Sequence, residues 1–212
     1  MREDVDRRMA DSTTKDGSGR ARNPRGSGAK LREEIVAAGV RLVDEAGNPA
    51  ALTLRGVARA AGITAPSVYQ HFPDLTAVTE AVLSASFDEL HGLVSAAIAS
   101  AGSETEALLA GCSAYVRFAW AHRARYQLMF AAQGYAPNAV ATYRAIEEAL
   151  RRCVAAGRSS SADTHGDTFL LWAALHGIAT LNRPARDDYL RLGPLDRPAI
   201  VLELVRRLAR LM

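Results

Sequence analysis

Apolar side chains recur every three or four positions along most of this chain, which is the period of a helix with one buried face. The pattern is clear from Leu31 onward, where Ile35 and Leu42 continue the same stripe. No segment shows the strict alternation of apolar and polar residues that is typical of a half-buried strand. The pattern therefore predicts an all-α fold.

Breaks rich in Gly, Pro and Ser divide this pattern into about nine helices. Three fall in residues 30–76, which we expect to form one small domain, and six fall in residues 77–212, which we expect to form a second. Residues 1–29 lack apolar periodicity and are expected to be a disordered basic tail. The predicted helices are 31–46, two short helices between Thr53 and Phe72, 73–100, 104–122, 123–132, 138–156, 163–182 and 196–211.

The segment TLRGVARAAGITAPSVYQHF, from Thr53 to Phe72, contains two short helical patterns joined by a turn at Gly62. Thr53 suits an N-cap, and Gly62 suits the left-handed residue that often ends a helix. Thr64 is placed to cap the second helix, and Pro66 falls in its first turn, where a missing N–H is harmless. Two helices joined by a short glycine-containing turn form a helix-turn-helix.

The second of these helices is short and mostly polar, so it is poorly suited to a core position. Val68 and Phe72 are expected to face inward, and Tyr69 to lie at the boundary with its hydroxyl exposed. The remaining side chains, which are expected to face outward, are Ala65, Ser67, Gln70 and His71. In a helix-turn-helix the second helix enters the major groove of DNA. An ordinary helical hairpin is the alternative interpretation of this pattern.

The longer segment GITAPSVYQHFPDLTAV resembles the recognition-helix signature of the TetR family of transcriptional regulators. That signature has Gly, an apolar residue and Ser or Thr, followed by a Tyr-x-His-Phe run. The matching positions are Gly62, Ile63, Thr64, Val68, Tyr69, His71 and Phe72. Family members usually carry a phosphate-binding Lys shortly after the Phe, whereas this chain has Leu75 near that position. One backbone contact of the family is therefore not expected here.

The resemblance implies a three-helix DNA-binding head followed by a helical body that binds a ligand and dimerises. It implies a ligand-responsive regulator, in this family most often a repressor, that binds double-stranded DNA at a palindromic operator. Ser67 and Gln70 are predicted to read bases, since Gln can pair with adenine and Ser with several base edges. The other predicted contacts position the helix on the DNA backbone. The full predicted set within the head is Thr53, Arg55, Thr64, Ala65, Ser67, Tyr69, Gln70 and His71.

The charge of the chain is concentrated at its N-terminus. Residues 1–30 contain eight Lys or Arg and five Asp or Glu, so they carry all of the formal net charge of +3. Residues 31–75 contain four basic and five acidic residues and have no positive surplus of their own. A basic arm on a helix-turn-helix protein can reach the adjacent minor groove, which makes Arg20, Arg22 and Arg25 candidate DNA contacts. A solubilising tail is the alternative.

The run WAALHGIATL places small residues among large ones, so that another helix can approach it closely. Within it, Trp172, His176 and Gly177 form a W-x-x-x-H-G pattern that resembles the C-terminal domain of a TetR subgroup named for this motif. In that family the last two helices of each subunit form a four-helix bundle across a two-fold axis. We therefore expect a homodimer through the last two helices, with His176 as a hydrogen-bonded core or interface histidine.

Family members use the body to bind a small molecule, and the body of this chain is supplied with aromatic side chains. The residues predicted to line a pocket are Phe118, Tyr126, Phe130, Tyr143 and Trp172, with Arg117, His122 and Gln133 as candidate polar anchors. Ordinary core packing is the alternative for each of them. A mostly apolar lining predicts a hydrophobic or aromatic ligand.

Other classes of protein are not supported. The sequence lacks GxSxG, HExxH and a phosphate-binding glycine loop, so we do not expect an enzyme. Cys112 and Cys153 have no metal-binding spacing and the five histidines are scattered, so no metal or cofactor is expected.

The N-terminus has no apolar core of a signal peptide. The apolar run from Thr168 to Leu181 is too short to span a bilayer. Both observations predict a cytoplasmic protein without a membrane contact. A helical small-molecule-binding dimer without DNA binding is the alternative function, favoured by the missing Lys and the non-basic head.

Overall fold

The computed structural model describes residues 27–131, 137–181 and 197–212, and within these ranges it has nine α-helices and no β-strand. The all-α prediction is therefore confirmed. A short 3₁₀ turn, Pro49–Ala51, lies between the first two helices. The helices are α1 (Ser27–Ala46), α2 (Leu54–Ala60), α3 (Ala65–Tyr69), α4 (Leu75–Ala99), α5 (Glu104–Ala121), α6 (Arg123–Ala131), α7 (Pro137–Ala155), α8 (Thr164–Leu181) and α9 (Arg197–Leu208).

Two helix starts differ from the sequence prediction by more than one residue. α1 begins at Ser27 rather than Leu31, because the apolar stripe marks only the part of the helix that is buried. α4 begins at Leu75 rather than Pro73, because Asp74 is its N-cap. The Asp74 carboxylate accepts a hydrogen bond from the backbone N–H of Ala77 at 2.8 Å. A negative charge at this end also interacts favourably with the helix dipole.

α1, α2 and α3, which we call the head, pack with the first half of α4 around a small core. Its fully buried side chains include Ile35, Val43, Val57, Val68, Phe72, Val78 and Val82. α1 and α4 approach closely at Gly39, where an added Cβ would lie 2.7 Å from Cγ2 of Val82. The head is thus fixed on the helix that leads into the rest of the molecule.

α4 to α9, which we call the body, enclose a larger core. The buried side chains at its centre include Leu108, Cys112, Tyr115, Ile146, Leu150, Cys153, Leu171, Leu175 and Val205. Both cysteines are free and buried. Burial raises the pKa of both thiols above their ordinary value, so they stay protonated at neutral pH. None of the described helices combines the length and apolar character that a bilayer crossing requires.

α6 belongs to both cores. Ala124 is buried in the core of the head, and Leu128 packs against it. Tyr126 and Met129 are buried in the core of the body, and Phe130 packs against that core. Alternate faces of one short helix therefore connect the two parts of the molecule.

The end of the chain is fastened to the loop between α7 and α8. Ser159 and Leu211 form an isolated antiparallel bridge, and the backbone N–H of Met212 donates to the carbonyl of Arg158 at 3.0 Å. The Ser159 hydroxyl donates to the carbonyl of Ala209 at 2.7 Å. We call this set of bonds the C-terminal clasp.

Candidate functional site

The turn between α2 and α3 has the geometry expected from its glycine. Gly62 has a φ of +67°, in the left-handed region. The N–H of Ile63 donates to the carbonyl of Ala58 at 2.9 Å, and the N–H of Gly62 donates to that of Arg59 at 3.1 Å. These two bonds form a Schellman motif. They set the direction in which the chain leaves α2 and so position α3.

α3 is a five-residue helix that is held on one side and exposed on the other. Val68 and Phe72 are buried, whereas Gln70 is exposed and Tyr69 is 54 % exposed. The helix ends at Tyr69, so Gln70 and His71 lie in the turn that follows it rather than in the helix itself. Phe72 precedes Pro73, and a residue before proline is disfavoured in the helical region, which accounts for the early end.

Two hydroxyl groups at the start of α3 contact each other. Thr64 occupies the N-cap position, but its side chain makes no capping hydrogen bond. Its Oγ1 instead lies 2.9 Å from Oγ of Ser67. The prediction that the Thr64 side chain caps α3 is therefore wrong. Both residues keep polar atoms at the surface beside Ala65.

At the start of α2 the predicted N-cap is present. Oγ1 of Thr53 accepts a hydrogen bond from the N–H of Gly56 at 3.0 Å. A hydroxyl that accepts one bond still has its own proton to donate, so Thr53 remains able to contact a phosphate. Arg55, one residue into α2, is also exposed.

The first turn of α1 lies beside the turn after α3. A Cβ placed on Gly28 would be 3.9 Å from Cε1 of His71. The chain that precedes α1 is therefore attached next to the predicted DNA-contacting residues. Arg20, Arg22 and Arg25, the predicted arm contacts, lie outside the described residues.

In the body, aromatic rings surround His176. The ring of Phe130 lies 4.5 Å, that of Tyr126 5.4 Å and that of Trp172 5.8 Å from the His176 ring, measured between centroids. Tyr143 is 6.4 Å from Trp172, and Phe87 of α4 is 5.7 Å from Phe130. We call these residues, with Tyr115, the aromatic cluster. Four of the five predicted lining residues belong to it.

Hydroxyl groups in the aromatic cluster form a chain that ends on the histidine. Tyr126 OH lies 2.6 Å from Nδ1 of His176, and Tyr115 OH lies 2.9 Å from Tyr126 OH. Burial raises the pKa of Tyr115 to about 12, while hydrogen bonds from Tyr126 and Trp172 act in the opposite direction. Burial also raises the pKa of Tyr126 and lowers that of His176. The three groups are therefore uncharged at neutral pH, and a hydrogen bond joins Tyr126 to His176.

The fifth predicted lining residue, Phe118, and two of the predicted polar anchors lie outside the aromatic cluster. Phe118 is buried with its ring 5.0 Å from that of His122 and 5.1 Å from the guanidinium of Arg125. His122, a predicted polar anchor, instead contacts Asp44 of the head at 2.9 Å. Arg117 is exposed, and Gln133 lies outside the described residues.

Three members of the aromatic cluster were not among the predicted lining residues. His176 follows Trp172 by one helical turn, so their spacing placed both on one face of α8. Tyr115 and Phe87 gave no comparable signal, because a single aromatic residue on a buried helix face is typical of any core. Across the described ranges, no group of three or more His, Cys, Asp or Glu side chains is placed to bind a metal ion.

α8 presents an exposed apolar face. The exposed fractions are 54 % for Leu170 and 75 % for Leu181, and Ala173 and Gly177 lie between them at helical spacing. An added Cβ at Gly177 would meet nothing within 4 Å. A face of this kind is unusual for a solvent-exposed helix and is typical of an interaction site.

Two family models match the chain. Residues 35–82 match the model described as bacterial regulatory proteins, tetR family. Residues 108–208 match the model described as tetracyclin repressor-like, C-terminal domain. The first range contains the helix-turn-helix, and the second contains most of the aromatic cluster together with α8 and α9.

Several solved structures share the fold. A protein of unknown function from Rhodococcus sp. RHA1 is 27 % identical, with a TM-score of 0.71 over 89 % of this chain and 98 % of that chain. The TetR family transcriptional regulator PfmR from Thermus thermophilus is 19 % identical, with a TM-score of 0.57 over 84 % and 98 %. A tetR-family regulatory protein from Rhodococcus RHA1 is 20 % identical, with a TM-score of 0.59 over 86 % and 98 %. No curated protein matches the sequence.

Proposed function

The chain belongs to the TetR family of transcriptional regulators, and on this premise we propose that it is a ligand-responsive repressor that binds a palindromic operator as a homodimer. In this proposal residues 30–76 bind DNA, and residues 77–212 bind the ligand and dimerise. A regulator of this kind acts on the chromosome and therefore in the cytoplasm. The observation that carries the proposal is a short exposed helix, α3, held by the buried side chains of Val68 and Phe72.

The polar residues of α3 and of the turn that follows it suit recognition better than bulk attraction to DNA. Gln70 and Ser67 offer uncharged groups that can hydrogen-bond to base edges. Tyr69 and His71 offer groups that can contact phosphates. Thr53 and Arg55, at the start of α2, also offer such groups. None of the α3 residues carries a formal positive charge, so the attraction to the phosphate backbone must come from outside the recognition helix.

The basic tail supplies this attraction in our proposal. It joins α1 beside His71, which is the side of the head that faces DNA when α3 enters the major groove. Arg20, Arg22 and Arg25 are close enough in sequence to that junction to reach the adjacent groove. Arg side chains are attracted to a narrow minor groove by its negative potential.

Dimerisation is assigned to α8 and α9. The exposed apolar face of α8, from Leu170 to Leu181, is continuous with small residues that permit close helix approach. A two-fold dimer uses the same surface on both subunits. Two heads related by a two-fold axis match a palindromic site.

The effector site is assigned to the aromatic cluster. The cluster is apolar apart from its chain of uncharged hydroxyl and imidazole groups, which suits a small, mostly hydrophobic ligand. Ligand binding shifts the population toward a body conformation in which the two heads no longer match successive major grooves, about 34–36 Å apart. The shift is limited by the difference in ligand affinity between the two conformations.

The proposal is tested by selecting duplexes from a random-sequence DNA library with the full-length chain. We expect enrichment of two inverted half-sites separated by about one helical turn or a multiple of it. The selected duplex is then tested in a gel-shift assay against a scrambled duplex of the same composition. A chain that enriches no sequence is instead a helical ligand-binding dimer without DNA binding.

A further inference from the structure

Four side chains from different parts of the molecule meet at the boundary between head and body. Arg125 of α6 has 1 % of its side chain exposed. Its Nη2 lies 3.1 Å from Oδ2 of Asp44 in α1, and its Nη1 donates to Oε2 of Glu89 in α4. His122 adds a contact of 2.9 Å to the same oxygen of Asp44. We call this cluster the joint.

The joint is a costly arrangement for a protein to maintain. Arg125 has one cationic group shared by two carboxylates, and its Nε is buried without a hydrogen-bond partner, as is Oδ1 of Asp44. A buried charge is tolerated only when it is paired. Replacing such a cluster with apolar side chains is often neutral or stabilising, so stability alone gives no reason to keep it.

The position of Arg125 on α6 suggests another use. The next residue, Tyr126, forms a hydrogen bond with His176 in the aromatic cluster. Arg125 therefore contacts the head while its neighbour on the same helix contacts the effector site. α6 spans only Arg123–Ala131, so a displacement of its cluster side moves the guanidinium as well.

We propose that Arg125 is the positioning residue that transmits a change in the aromatic cluster to the head, through Asp44 on α1 and Glu89 on α4. The inference deepens the proposed function, on which it rests, by naming the contact through which the effector site controls the DNA-binding domain. A ligand that displaces Tyr126 or Phe130 shifts α6, and the joint shifts α1 with it.

The test is hydrogen exchange, followed by mass spectrometry on the full-length chain without DNA or ligand. Arg125→Met is expected to raise exchange rates by about tenfold or more in residues 40–46 and 54–69. The N-terminal half of α5, residues 107–113, lies away from the contact between Arg125 and Phe118 and is expected to be unchanged. Arg144→Met, at an exposed position of α7, is the matched control and is expected to change neither region. Equal acceleration in residues 107–113 and the head would show a merely structural role.

Transmission is tested by combining this substitution with a change on α8. His176→Leu removes the hydrogen bond between residue 176 and Tyr126 and is expected to alter exchange in residues 54–69 when Arg125 is present. The effect is expected to vanish in the Arg125→Met background. The inference is overturned if His176→Leu leaves the head unchanged, or if its effect persists without Arg125.

A further variant keeps the inference testable if Arg125→Met alone does not fold. Asp44→Asn, Glu89→Gln and Arg125→Met together remove every formal charge of the Arg125 ion pairs while keeping similar volumes. We expect this triple variant to fold and to show the same loss of transmission from His176, whereas normal transmission would refute the role of the ion pairs. Because no DNA enters the measurement, its result is independent of whether the chain selects an operator.

Discussion

Gln70 and Tyr69 are exposed beside residues that are almost completely buried. Val68 and Phe72 anchor the segment in the core of the head, so the neighbouring side chains are held in place without being covered. Because α3 ends at Tyr69, Gln70 lies in the turn that follows, at the C-terminal end of α3. The positions of the Tyr69 and Gln70 side chains therefore depend on the packing of their buried neighbours, Val68 and Phe72.

Gln70→Ala is expected to change which of the selected duplexes the chain prefers. A bidentate contact from Gln to adenine contributes about 1–3 kcal/mol of discrimination, so its loss should reduce the preference at one base position by about tenfold or more. Competition gel shifts with single-base variants of the selected duplex measure this. Gln127→Ala, at an exposed position of α6, is the control. A loss that is equal for all duplexes would identify Gln70 as a backbone contact.

His176 is expected to make the stability of the body depend on pH. Burial lowers its pKa from an ordinary value of 6.5. Below that value the unfolded chain binds a proton that the folded chain does not, so the free energy of unfolding falls as the pH falls from about 7.5 to 5. Urea unfolding across this range measures the slope.

Two variants separate the contribution of His176 to the pH dependence of stability from the contributions of other titrating groups. His176→Gln is expected to weaken the dependence on pH. Tyr126→Phe, which removes the partner but not the titrating group, is expected to keep most of it. An identical slope in wild type and His176→Gln would assign the pH dependence to other groups.

At the scale of elements, α1 and α4 pack so closely that a methyl group matters. The close contact is at Gly39, which faces Val82. Gly92 lies farther along α4, is exposed, and has open space where a Cβ would be placed. The two positions are the same residue type within helices, yet they differ in their surroundings.

Substituting alanine at these two glycines should have opposite effects. Gly39→Ala is expected to lower the free energy of unfolding by about 1–3 kcal/mol, because it overpacks the contact between α1 and α4. Gly92→Ala is expected to raise it by about 0.5–1 kcal/mol, because alanine has the higher helix propensity. Urea denaturation gives both values. If Gly39→Ala instead raised the free energy of unfolding, α1 and α4 would be able to move apart without a cost in packing.

The elements themselves were predictable from the sequence to a large extent, because apolar periodicity reports which helix face is buried. Ser103 and Asp74 also act as caps that short-range chemistry specifies. The dual role of α6 was not predictable. It depends on which distant side chains surround each residue, as when Phe118 packs on Arg125 while Tyr126 turns to His176.

At the scale of the whole molecule, apolar surface and positive charge are separated. The exposed apolar residues of α8 lie in the body, and the surplus of positive charge lies in the tail before α1. One surface suits a second copy of the chain and the other suits phosphate groups. The proposed function requires both, and each is testable on its own.

Leu170→Glu is expected to weaken self-association, because it buries an unpaired charge in the proposed interface. We expect the dimer dissociation constant from sedimentation equilibrium to rise by about tenfold or more. Leu93→Glu on α4, where the leucine is also exposed, is the matched control. Equal effects of the two substitutions would remove α8 from the interface.

Deletion of residues 1–29 is expected to weaken DNA binding and to flatten its dependence on salt. Each lost phosphate contact lowers the slope of log affinity against log salt by about 0.9. Gel shifts with the selected duplex at several salt concentrations give the slope. Replacing Arg20, Arg22 and Arg25 together with Gln keeps the length of the tail and separates charge from length. An unchanged slope in both variants would leave the tail a solubilising segment.

The C-terminal clasp has a consequence for assembly. By tying Met212 and Leu211 to the loop before α8, it closes α8 and α9 into a loop whose ends meet, much as a cross-link would. A closed loop has fewer conformations to lose. In the proposed dimer, the apolar face of α8 is therefore ordered before a second subunit binds, and association need not meet that entropic cost.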